Sequence, residues 1–213
     1  MAQKKEQIST EEKGTLNTEI TVKAMPVAEP ATLGLIGLAI AALVLASTDL
    51  KIASSITRSL MIPWVLFFGA TAQLIAGLME FKRNNTFGAT VFSVYAMTMY
   101  SIALTLIVIH FTTVQIDITH YAYGLVGILV FSLIVTAASV MINKTFFTIL
   151  IMVDLAVASL IPHYLLGISS LPAGVFLLLT SVFSFYGAAA ILLNTLAGKR
   201  ILPLGKALWT PTK

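Results

Sequence analysis

Leu60–Glu80, LMIPWVLFFGATAQLIAGLME, continues through Phe81-Lys82-Arg83-Asn84-Asn85 into Thr86–His110, TFGATVFSVYAMTMYSIALTLIVIH. Two apolar runs, each about the 20 residues needed to cross a hydrocarbon core, thus meet at a short basic corner. Backbone groups in lipid must be satisfied within the segment, so runs of this length are helices. The corner is too short for anything but an antiparallel helical hairpin, and Asn85 or Thr86 is a natural N-cap for its second arm.

Four more runs extend outward from this hairpin: Ala31–Thr48, Tyr121–Ile142, Phe146–Pro162 and Pro172–Thr195. They make the chain all-α, a polytopic membrane protein of six transmembrane helices. With 213 residues, 58% hydrophobic and 10% charged, it has no room for a soluble domain beside six spans. Residues 1–28, rich in Lys, Glu, Gln and Thr, read as a disordered cytosolic tail, 29–205 as the membrane domain and 206–213 as a C-terminal tail. The pI near 9.4 reflects loop charges that set topology, and no nucleic-acid signal accompanies it.

The basic residues are lopsided. Lys4, Lys5, Lys13 and Lys23 precede helix 1, Lys82 and Arg83 follow helix 2, Lys144 follows helix 4, and Lys199, Arg200, Lys206 and Lys213 follow helix 6. The other side has only Lys51 and Arg58. Because Lys and Arg are retained on the cytoplasmic side, both termini are expected there, in a plasma (cytoplasmic) membrane.

Polar residues inside spans are the functional candidates. Gln73 shares a face with Gly69 and Gly77, and reads equally as interhelical glue or as a pore-lining donor. Glu80, at the interface, is expected to pair with Lys82, Arg83 or another basic neighbour. Asp154 lies mid-span, where three roles stand open: a proton-carrying group, a neutral donor between helices, or a carboxyl nearer the edge of a shifted helix. Pro30, Gly34 and Gly37 open helix 1 and point to an irregular or closely packed entry. His110, His120 and His163 all fall at the outward ends, where loop hydrogen bonding and a pH-sensing cluster are the alternatives. The chain has no Cys, no nucleotide loop, no nucleophile elbow and no metal-ligand spacing, so neither an enzyme nor a cofactor nor a metal is expected.

The stretch from Phe67 to Lys82, followed by Asn85-Thr86-Phe87-Gly88 and Tyr95, resembles the signature of the acetate uptake transporter family, the succinate/acetate permeases of microbes and their yeast relatives. Leu193-Asn194 and Leu202-Pro203-Leu204-Gly205 extend the resemblance to about Gly205. At helix 1 the family motif Asn-Pro-Ala-Pro-Leu-Gly-Leu is matched by Glu29–Leu35, with Glu29 for Asn and Thr32 for Pro. The resemblance implies a six-helix protomer enclosing its own pore, assembled as a hexamer, that carries acetate and other small carboxylates such as succinate, as an anion channel or with a proton. It also implies a narrow apolar gate formed by Leu38, Tyr95 and Ile149. Thr71, Gln73, Asn85, Ser93 and Tyr95 are candidate donors to a carboxylate, the Pro30–Gly37 entry offers backbone amides, and Glu80 and Asp154 are candidate proton-linked groups. Two alternatives remain: a channel for neutral solutes similar to proton-gated urea and amide channels, and a membrane protein of acetate signalling.

Overall fold

The structure is a computed structural model and describes residues 27–53, 55–113 and 115–210. Of the expected N-terminal tail only Val27 and Ala28 are described, and Lys4, Lys5, Lys13, Lys23 and Lys213 lie outside the described residues. Among the described residues, six helices are long and apolar enough to cross a membrane. We label them α1 (Ala31–Asp49), α2 (Ser55–Lys82), α3 (Thr86–Phe111), α4 (Thr119–Ser139), α5 (Lys144–Leu166) and α6 (Leu171–Ala197). Six crossings place the start of α1 and the end of α6 on one face, called terminal here; the opposite face is distal.

The helices form a closed ring. α1 and α6 pack extensively on each other, α6 also packs on α5 and α5 on α4, while α2 sits between α1 and α3. The α3–α4 seam that completes the ring is the loosest of all.

α1 enters regularly, with Gly34 N–H donating to Pro30 C=O at 3.1 Å, so its glycines serve packing and no irregular backbone is needed. A Cβ on Gly34 would stand 2.5 Å from the Phe92 ring, and one on Gly37 would run into the Phe68 carbonyl oxygen. α1 therefore lies backbone-close to α2, the contact small residues permit between helices in lipid. α2 changes pitch along its length: 3-10 turns over Ser55–Met61, one α turn over Ile62–Trp64, a π-helix over Val65–Ala72, and α-helix over Gln73–Lys82. The Thr71 hydroxyl donates back five residues to Leu66 C=O, which matches the wider turn.

The corners follow from side-chain caps. Asn85 Oδ1 accepts from Gly88 N–H and Asn143 Oδ1 from Phe146 N–H, opening α3 and α5. Ahead of α4, the Thr119 hydroxyl and amide both donate to Asp117 and hold that exposed carboxyl below its usual range. α5 continues a turn beyond the Pro162 at which the apolar run ends, because α5 is tolerant of one missing donor near its end; Gly167, at φ 68°, then stops it. The segment after α6 folds back: Asn194 takes the amides of Ile201 and Leu202, Tyr186 donates to Pro203 C=O, and Leu204 C=O accepts from Thr145.

Candidate functional site

Two cavities enter the ring from opposite faces. The distal one, about 120 Å³, has Asp49, Arg58, Tyr121 and Tyr164 near its mouth and mostly aliphatic walls. Arg58 stands 3.8 Å from Asp49, and the Tyr121 and Tyr164 rings meet edge to face at 4.9 Å. The deepest residues that α1, α3, α4, α5 and α6 contribute are Leu38, Tyr95, Ile128, Val153 and Thr180. The terminal cavity, about 390 Å³, is rimmed by Glu29, Glu80, Asn85, Asn143 and Asn194. Phe92, Phe146 and Ile191 are its deepest residues.

Between the two lies a plug. On α3 only three positions separate Phe92 from Tyr95, about 5 Å along the axis; on α1 the gap from Ala31 to Leu38 is about 10 Å. Leu35, Leu38, Phe92 and Ile149 fill this layer as part of one buried apolar cluster, and Leu35 and Ile149 meet over Gly187 of α6. Apolar side chains that close such a layer exclude water and thereby ions.

The residues singled out in the sequence fall into three groups. Leu38 and Tyr95 converge at the floor of the distal cavity, with Ile149 in the layer behind them. Glu80 and Asn85 share the terminal cavity, where Asn85 Nδ2 donates to Glu80 Oε2 at 2.9 Å and Arg83 lies 3.8 Å away. Glu29 faces the same cavity and pairs with Arg83 at 2.7 Å, so the acid that replaces the family's Asn is held by a cation of the α2–α3 corner. Pro30, Gly34, Thr71, Gln73 and Asp154 line neither cavity. Thr71 is turned onto Tyr100 at 3.0 Å, and Gln73 is fully buried with neither amide atom hydrogen-bonded. Asp154 accepts from Ser132 and from Thr136, the latter at 2.8 Å. Among the histidines, His163 Nδ1 meets Ile168 C=O at 2.6 Å and His110 Nε2 is buried without a partner.

Sequence reasoning did not single out Leu35 or Phe92 as plug residues. It also missed Ser132 and Thr136 as partners of Asp154. Their signal was available: Ser132, Thr136 and Ser139 recur at helical spacing and mark one hydroxyl-bearing face of α4.

Six apolar helices in a ring, with two cavities that enter from opposite faces and meet at a buried apolar plug, make the architecture of a membrane transport protein. The chain belongs to the GPR1/FUN34/yaaH family, whose model matches residues 12–201. It is 27% identical to Acetate permease A of Emericella nidulans over 211 residues, 90% of this chain and 70% of that protein. It is 34% identical to the succinate-acetate/proton symporter SatP of Escherichia coli over 80 residues, 36% of this chain and 42% of that one. The solved structure of the bacterial acetate channel SatP superposes with a TM-score of 0.78 at 24% identity, covering 84% of this chain and 100% of that chain, and so shares the fold.

Proposed function

We propose that the chain moves acetate and related short carboxylates, succinate among them, across a cell membrane, with both termini cytoplasmic and several protomers, six by family resemblance, assembled side by side. The observation that carries this reading is the two-cavity ring closed by Leu38, Tyr95, Ile149, Leu35 and Phe92. The names of the two relatives, an acetate permease and a succinate-acetate/proton symporter, supply the substrate class.

The geometry suits a small amphiphilic solute. An anion entering from the distal side meets Arg58 and two tyrosines, then a slot for its methyl group among aliphatic walls. Neither the plug nor the cavity walls place a Lys or Arg at mid-membrane, so a carboxylate is never held tightly, and weak binding lets it leave. Beyond the plug, the terminal cavity offers amides for rehydration.

Purified protein in liposomes, with labelled acetate followed under an imposed potential and then under a proton gradient, tests this. Flux that follows the potential alone means a conductive anion pathway; flux that needs the proton gradient means symport. Absence of acetate flux under both conditions, with flux of urea or acetamide instead, would replace this reading with a neutral-solute channel.

A further inference from the structure

Across the loosest seam of the ring runs a continuous chain of hydrogen bonds. The Tyr95 hydroxyl of α3 meets Ser132 Oγ of α4 at 2.7 Å, Ser132 Oγ meets Asp154 Oδ1 of α5, and Thr136 donates to Asp154 Oδ2 at 2.8 Å. Ser132 is fully buried and Tyr95 is 3% exposed, so water does not substitute for these partners. Tyr95 is also the residue α3 contributes to the floor of the distal cavity.

Counting protons fixes the direction of the chain. An ionised carboxylate only accepts, while each hydroxyl owns one proton. With Asp154 ionised, Ser132 donates its proton to Oδ1, so the Tyr95–Ser132 contact exists only with Tyr95 donating. The tyrosine then has lone pairs alone for a solute. With Asp154 protonated, the carboxyl donates to Ser132, Ser132 turns its proton to Tyr95, and the phenolic proton is free for a carboxylate oxygen. We propose that Ser132 and Asp154 are positioning residues for the gate tyrosine, which a proton on Asp154 converts from an acceptor into a donor toward a carboxylate in the pore. This rests on the reading of the chain as a carboxylate transporter.

The proton balance is simple. A hydronium in the distal cavity gives one proton to the Tyr95 oxygen and becomes water, the phenolic proton passes to Ser132 Oγ and the serine proton to Asp154 Oδ1, so each hydroxyl gains one O–H bond as it loses one and the carboxylate gains one. Around Asp154, α3 presents Tyr95, α4 presents the Ser132 and Thr136 hydroxyls, and the ionisable side chain of α6, Tyr186, is bound to Pro203 away from it. The described ion pairs sit at the two faces, Arg58 with Asp49 and Arg83 with Glu29 and Glu80, so no cation among them opposes the proton on Asp154.

The test compares labelled acetate flux through liposomes for wild type, Asp154→Asn, Ser132→Ala and the double variant at matched internal and external pH. Substrate ionisation cancels in the ratio of variant to wild type. The amide of Asp154→Asn fixes the uncharged form, so the ratio of this variant to wild type should climb about tenfold from acidic to alkaline pH, the worth of one hydrogen bond to a charged group. Ser132→Ala should have the same pH profile as the double variant, because the link is already cut. A pH-independent ratio, or additive effects of the two substitutions, overturns the proposal in favour of a purely structural network. Infrared difference spectra of the purified protein read the same coupling without substrate. The phenolic C–O band of Tyr95, identified by its loss in Tyr95→Phe, should shift as the Asp154 carboxyl protonates and stay fixed in Ser132→Ala. A shifting band in a protein that moves no acetate would sink the transport reading and leave the coupling standing; a fixed band in wild type sinks the coupling.

Discussion

Gln73 and Asp154 are both buried in the bundle, yet their surroundings are opposites. Asp154, in the α3–α4–α5 seam, has a hydroxyl donor on each oxygen, whereas Gln73, between glycine-smoothed faces of α1, α2 and α3, makes no hydrogen bond through either amide atom. Buried polar groups are nearly always paired, so the contrast sets a network built into the fold beside an amide that the packing leaves without a partner. One seam is held by polar bonds and the other by shape: a Cβ on Gly69 would stand 2.8 Å from Ala41, and Gly77 lies directly against Ser93.

Breaking each seam should expose the difference in order of size. Gly37→Leu drives a side chain into the Phe68 carbonyl and should destabilise the protein by about 3 kcal/mol, read as a lower unfolding temperature in detergent. Asp154→Leu removes the acceptor of two hydroxyls, but these can fall back on their own helix carbonyls, so the loss should be about 1–2 kcal/mol. Asn194→Ala frees the chain after α6 and should make the bonds from Leu208 and Trp209 to Val140 exchange hydrogen faster, with a melting shift of about 1 kcal/mol. Gln73→Leu has no bond to lose and should change stability by under about 0.5 kcal/mol. A large stability loss in Gln73→Leu would show that the amide is glue after all and erase the contrast.

How much of this was legible in the sequence follows from what each signal encodes. Hydropathy and length give spans, and all six apolar runs became helices. Boundaries moved where local chemistry acted on backbone rather than on hydropathy, as at Pro162, which the helix absorbs in its last turn, and at Ser55, where 3-10 turns precede the apolar run. Periodicity tells which residues share a face but not what that face meets. Gly69, Gln73 and Gly77 could be placed together, while the neighbours Ala41, Met99 and Ser93 could not. Thr71 was a candidate donor to the pore, and only the packing of α2 on α3 reveals that it faces Tyr100. Glu29 and Arg83 are 54 residues apart, so their pairing rests on the way the start of α1 meets the α2–α3 corner.

The π-helical stretch of α2 carries a consequence for sequence length. An α-helix turns about 100° per residue, so deleting one residue within Gln73–Lys82 swings everything on one side of the deletion round by that angle and takes Glu80 out of register with Asn85. Within Val65–Ala72 the wider turns hold one residue more than an α-helix would use over the same path. Removing a residue there lets the turns tighten while Gln73 and Glu80 keep their facing. In a scan of single-residue deletions, α2 should therefore behave as a rod with one spare link, tolerant over these eight positions apart from Gly69, whose place against Ala41 admits no side chain, and intolerant toward the terminal face.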